Sequence, residues 1–405
     1  MSLTADVTRR SRACRTLSRM KLRALAAPIV LVLSVSCNGG APEAPATVSC
    51  TPLSRENADD CLRLNHLQVL GTHNSYHIAP APPMLERLGD RGRNLDYTHR
   101  TLTDQLERLG IRQFELDVFA DPQGGHYATP AALRMTSGLE PPDADVMRRP
   151  GFKVLHVQDV DYRTTCPTFV ACLTEIRDWS RANPEHVPIL VLVEAKDGAL
   201  DDRDGVGYVT PVPIDATQLQ ALDAEIRSVF DAGHLITPDS IRGGHATLRE
   251  AVVADGWPTL RESRGKVFFA LDNTGVHRDR YLEGAPSLEG RVMFVSAPPD
   301  APAAAFLKLN EALGDAGADI REQVASGFLV RTRADTPTVE ARSGDATRRD
   351  AAFATGAQFV STDYPEESPF GSRYLARLPQ AADLAARCNP VTAPPGCRSE
   401  WLEPR

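Results

Sequence analysis

Positive charge is scarce in this chain, which carries 45 Lys and Arg against 53 Asp and Glu for a net charge of −8. Residues 1–37 hold seven Lys/Arg and one Asp, so the remainder stands near −14. Nucleic-acid affinity rests on neutralising phosphates with Lys and Arg, and this balance excludes a general nucleic-acid partner. No CxxC or zinc-ligand spacing occurs among the eight cysteines. Internal repeats are absent, and so is low-complexity sequence outside one short tether. Charged residues at 24% and apolar residues at 42% exclude a disordered or collagen-like chain.

The basic start (Arg9, Arg10, Arg12, Arg15, Arg19, Lys21, Arg23) followed by ALAAPIVLVLSVSC, residues 24–37, reads as an export signal. Its apolar stretch falls short of the ~20 residues that a spanning helix needs. Cleavage before Cys37 gives a lipid-anchored protein, and cleavage nearby gives a plainly secreted one. The six later cysteines form close pairs, Cys50 with Cys61, Cys166 with Cys172, and Cys388 with Cys397. In an oxidising compartment these suggest disulfides between near neighbours. The expected organisation is an export signal over 1–37, a Pro/Ala/Gly-rich tether over 38–60, one domain over 61–388 and a tail over 389–405.

Eight apolar runs have strand character: 67–71, 111–118, 152–157, 188–194, 266–271, 291–295, 327–331 and 357–361. Helical patterns separate several of them. In TLTDQLERLG, Leu102, Leu106 and Leu109 share a face and Gly110 stops the helix. In DATQLQALDAEIRSVFDAG, Asp215 caps and Leu219, Leu222 and Ile226 are buried. APAAAFLKLNEALG and GDATRRDAAFATG behave similarly. Interleaved strands and helices with doubly apolar strands indicate a parallel sheet covered by helices. The fold class is α/β, and eight strands favour a single (β/α)8 TIM-like barrel with long loops, 119–151 and 197–214, at the C-terminal face.

Such a barrel collects functional side chains at the C-terminal strand ends. His73 and Asn74 follow the first run, Glu115 and Asp117 end the second, His156 the third and Glu194 the fourth. Side chains alternate along a strand, so Glu115 and Asp117 point the same way. Unit charges about 5 Å apart repel by roughly 3 kcal/mol at an effective dielectric near 20, so clustered carboxylates call for a cation. An oxygen-only set with the amide of Asn74 selects a hard ion, Ca²⁺ or Mg²⁺. The competing arrangement pairs the acids with arginines such as Arg112 or Arg331. His73 and His156 suit a reaction that needs an acid and a base. Lys196, Arg331 and Arg333 are candidate contacts for an anionic substrate, or else solvated charges.

THNSY, FELDV, a strand ending in His, and LVLVE occur in the order and spacing of the catalytic half of calcium-dependent phosphoinositide-specific phospholipases C. QFVSTDYP resembles the last strand of bacterial members. The resemblance covers roughly residues 62–387. It implies that His73 and His156 are catalytic, that Asn74, Glu115, Asp117 and Glu194 bind calcium, and that phosphatidylinositol is cleaved to diacylglycerol and a cyclic or open inositol phosphate. In the implied chemistry Glu194 or Glu115 takes the hydroxyl proton, His73 stabilises the developing charge and His156 assists departure. The animal headgroup-binding pattern has no residue-by-residue counterpart. Alternatives are a glycerophosphodiester or other phospholipid as substrate, or a non-catalytic lipid-anchored surface protein. A membrane surface, reached peripherally or through Cys37, is the expected partner of a monomer.

Overall fold

The computed structural model describes residues 48–404. The export signal, Cys37 and the tether up to residue 47 lie outside the described residues. Ten strands form one sheet: β1 (Leu67–Thr72), β2 (Gln113–Phe119), β3 (Lys153–Val154), β4 (Ile189–Ala195), β5 (Val267–Leu271), β6 (Met293–Val295), β7 (Phe306–Lys308), β8 (Leu329–Arg333), β9 (Phe359–Thr362) and β10 (Ala386–Cys388). Eight run parallel in the order β6-β5-β4-β2-β1-β9-β8-β7. A parallel bridge from Ser296 to Phe306 brings the two ends together. The result is a nearly closed (β/α)8 barrel, as the sequence predicts.

Membership of the barrel differs from the predicted set at two places. The run at 152–157 is no barrel strand: only Lys153 and Val154 pair, antiparallel, on the end of β2. The missing eighth stave is β7, inside the stretch APAAAFLKLNEALG that the sequence predicts as helix. Its strand is three residues long and Phe306 and Leu307 are buried. A run so short carries no alternation by which it could be told from a helical turn. The two errors cancel, leaving the count at eight.

Other local predictions hold. The helix Leu102–Leu109 starts at a Thr101 side chain that accepts from Asp104 N–H, and ends at Gly110 with φ +66°. Asp215 caps the helix Ala216–Val229 by accepting from Gln218 N–H at 3.0 Å. The sequence-adjacent disulfides Cys50–Cys61, Cys166–Cys172 and Cys388–Cys397 all form, which fits an oxidising compartment. Beyond residue 388 the chain stays packed on the barrel. Leu402 is buried, and Glu403 accepts from both the Arg112 guanidinium and Val187 N–H. Among the described residues no helix is long and apolar enough to cross a membrane.

Candidate active site

The strand ends converge as a parallel barrel requires. β2 and β4 pair in register with Asp117 opposite Glu194. Glu115, Asp117 and Glu194 each offer an oxygen within 4.8 Å of the others. β1 lies beside β2 because residue 71 is Gly: a Cβ there would stand 1.9 Å from Gln113 Oε1. The turn after β1 docks on β2 through Ser75, which accepts from Glu115 N–H at 2.8 Å. Asn74 takes φ +44°, a left-handed conformation that Asn tolerates better than most residues. Its amide donates to Tyr97 Oη at 2.8 Å.

The acids are partly satisfied. Arg331, 1% exposed, donates to Glu115, to Ser361 Oγ at 2.7 Å and to Asn310 Oδ1 at 2.6 Å. Lys196 donates to Asp117 Oδ2 at 2.9 Å and lies 3.9 Å from Glu194. Arg333 donates to Asp363 at 2.8 Å. The three cations predicted to meet substrate are thus committed to carboxylates, and Lys196 keeps the most exposure of the three, 23%. Arg112, the other suggested partner, is at the opposite end of the barrel with Glu403.

Two buried oxygens nevertheless lack a hydrogen-bond partner. Asn74 Oδ1 and Asp117 Oδ1 are buried without hydrogen-bond partners, as is Asp272 Oδ1 nearby, whose other oxygen meets Lys308. Buried acceptors are normally paired, and Glu115, Asp117 and Glu194 form a group that could hold a metal ion. Burial, followed by Asp117 and against Lys196, pushes the Glu194 carboxyl up to about 8. Burial likewise lifts Asp117 to about 6, Lys196 opposing and Glu115 adding. Two Lys/Arg side chains therefore do not neutralise the cluster. The donor set is all oxygen and suits calcium or magnesium.

The imidazoles flank this cluster. His73 Nδ1 lies 2.8 Å from Asp363 Oδ1, and His73 Nε2 is 3.7 Å from Glu115. Burial and then Arg333 push the His73 ring down to about 4, against the pull of Asp363 and Glu115. His156 Nδ1 lies 2.8 Å from Asp161 Oδ2. Burial lowers this ring too, against Asp161. A neutral ring beside a carboxylate puts its proton on the nitrogen facing it, so each histidine donates through Nδ1 and leaves Nε2 to the mouth.

Asp161 and His77 carry no label in the sequence, because the carboxylate that orients His156 is five residues downstream in a loop and its other partner comes from the turn after β1. Asp363 directly follows β9. Its contact with His73 joins the first and last strands, a pairing visible only once the barrel closes. The loop 119–151 and the loop 197–214 both border this end, and Asp159 joins them by accepting from Ala131 N–H at 2.7 Å and Val209 N–H at 2.6 Å.

Fold and site together describe a barrel phosphodiesterase. The family model for Ca²⁺-dependent phosphoinositide phospholipase C matches residues 62–390, and the chain belongs to this family of enzymes. Among solved structures it is similar to the calcium-dependent phosphoinositol-specific phospholipase C of a Pseudomonas species, apo form, at 16% identity and a TM-score of 0.50, over 82% of this chain and 96% of that one. The myoinositol complex of the Pseudomonas enzyme aligns at 15% identity and a TM-score of 0.50, over 84% of this chain and all of the other. At these identities the likeness supports the fold. A comparison with curated proteins finds no match.

Proposed function

We propose that the chain is a calcium-dependent phosphodiesterase that cleaves phosphatidylinositol-type lipid to diacylglycerol and a cyclic or open inositol phosphate. The observation that carries this reading is the cluster of Glu115, Asp117 and Glu194, with Asp117 Oδ1 buried and unpartnered in it, together with two imidazoles each set by a carboxylate. Asn74, Glu115, Asp117 and Glu194 would hold the ion. Bound calcium supplies charge that lowers the pKa of the attacking hydroxyl and offsets the charge of the phosphate.

The inositol 2-hydroxyl oxygen forms a bond to phosphorus as the bond from phosphorus to the glycerol oxygen breaks. His73 and His156 handle the protons. With Nδ1 held by a carboxylate, each ring presents Nε2 to substrate, as acceptor when neutral and as donor when protonated. One takes the hydroxyl proton and the other gives a proton to the diacylglycerol oxygen. Glu115, held by Arg331, Asp117, held by Lys196, and Glu194 are ligands in this scheme, and the imidazoles take the proton-carrying role that the sequence assigns to Glu194 or Glu115. Lys196, Arg331 and Arg333 order the acids and fix charge at the mouth, where Lys196 is the best placed to meet a phosphate.

The test uses the mature protein with phosphatidylinositol, glycerophosphoinositol and sphingomyelin, with and without a calcium chelator. Inositol phosphate released only from phosphatidylinositol and only with calcium supports the reading. Cleavage of glycerophosphoinositol alone redirects it to soluble diesters, and silence on all three ends it in favour of a surface binding protein.

A further inference from the structure

The His77 ring is fully buried, and both nitrogens face acceptors. Nδ1 lies 3.0 Å from the Tyr97 carbonyl oxygen. Nε2 lies 2.8 Å and 3.1 Å from the two oxygens of Asp161. A carbonyl oxygen and a carboxylate can only accept, so each nitrogen carries a proton. The Asp161 oxygen at 2.8 Å also accepts from His156 Nδ1, and the two rings meet edge to face with centroids 5.4 Å apart.

We propose that His77 is a positioning residue for the reaction: doubly protonated and sealed from solvent, it keeps Asp161 ionised and aimed so that His156 presents Nε2 to substrate. The arm through His73 has the same plan, with Asp363 held between the imidazole and Arg333. Arg333 is a fixed cation; His77 is bound by an acceptor at each ring nitrogen. Asp161 is held down to about 2, the two histidines outweighing its burial. The other groups facing this set are Lys196, which acts on His156, Tyr76, on which Asp161 acts, and Tyr97 and His99, whose rings follow one another beyond His77. A metal ion shared by His77, His156 and Asp161 does not fit: tetrahedral zinc holds such ligand atoms about 3.3 Å apart, and both N···O contacts are 2.8 Å.

The inference rests on the assignment of His156 to proton transfer, and two measurements separate it from that assignment. In full-length protein labelled with ¹⁵N-histidine, both His77 nitrogens should show protonated-type shifts throughout the range in which His156 titrates; a single neutral tautomer at His77 overturns the proposal. In turnover, His77→Gln keeps a donor toward Asp161 and loses the charge. Its kcat should fall about 10- to 100-fold with KM within about twofold, because it acts on a proton carrier and not on substrate. The limb of its pH–rate profile that His156 sets should move to higher pH, since an unshared Asp161 holds the His156 proton more tightly. A profile superimposable on wild type, whatever the rate, reduces His77 to a packing residue. The spectrum needs neither turnover nor variant, so it decides the matter even if the Gln protein does not fold. Intact phosphatidylinositol in the wild-type assay, with the spectrum as expected, rejects the functional reading and leaves the protonation of His77 standing.

Discussion

The two imidazoles at the barrel mouth are held by opposite kinds of support. His73, Asp363 and Arg333 sit at the ends of β1, β9 and β8, three consecutive staves with β9 paired to both of the others. His156 and Asp161 sit in the loop beyond β3, a two-residue antiparallel addition to β2, and are tied to the barrel through His77 in the turn after β1. Strand ends are fixed by the ladder itself. A loop must be fixed by side chains, and here one buried carboxylate with a histidine on either side does it. The difference teaches that equivalent chemistry at the mouth can be built from rigid backbone or from a dedicated side-chain chain, with different vulnerability to mutation.

Substitution of the rings themselves should give the largest effect. His73→Ala and His156→Ala should each lose about 10² to 10⁴-fold in kcat, the usual worth of a positioned proton carrier, while calcium affinity measured by calorimetry stays near wild type. Turnover like wild type in either variant removes that ring from the mechanism. The supports come next. Asp161→Asn should lower kcat on the order of 10- to 100-fold, and Asp363→Asn should add a measurable loss of folding stability because Arg333, unlike the histidine beside Asp161, cannot shed its charge when its closest partner is lost. Equal melting temperatures for the two variants would dissolve the distinction between strand-held and loop-held arms.

Calcium should stabilise both arms from the cluster between them. At a hundred times its Kd it should add about 2.7 kcal/mol of unfolding free energy, read as a rise in Tm that Asp117→Asn abolishes. An unchanged response in that variant places the ion elsewhere. The smallest expected effect concerns Glu225, which accepts from Phe152 N–H at 3.0 Å and so anchors the entry to β3. Burial raises its carboxyl from the ordinary 4.5 to about 7. A raised carboxyl contributes its full stability below the unfolded pKa and loses it as pH climbs through the folded one. The wild type should therefore lose stability between about 4.5 and 7 relative to Glu225→Gln, and parallel curves for the two proteins would show that the loop arm is not anchored there.

Much of this protein can be read from residue order alone. Alternation in FELDV is enough to aim Glu115 and Asp117 together, and LVLVE brings Glu194 beside them because β2 and β4 are each long enough to carry a pattern. The helix ends at Gly110 and Asp215 are legible for the same local reason. The run at 152–157 misleads because a short apolar run looks alike whether it closes a barrel or leans on its rim. FLK at 306–308 is missed because three residues hold less than one helical turn's worth of information.

The sequence by itself determined the class of the fold and the carboxylate cluster and suggested the near-neighbour disulfides, all of which depend on periodicity or proximity along the chain. Only the tertiary structure decided which runs close the barrel, that Arg331 and Lys196 clasp Glu115 and Asp117, and that Asp363, Asp161 and His77 orient the imidazoles. Those contacts join residues as far as 290 positions apart. Hydrogen bonds at that separation depend on where the barrel brings strand ends together, and no local pattern of residues records it.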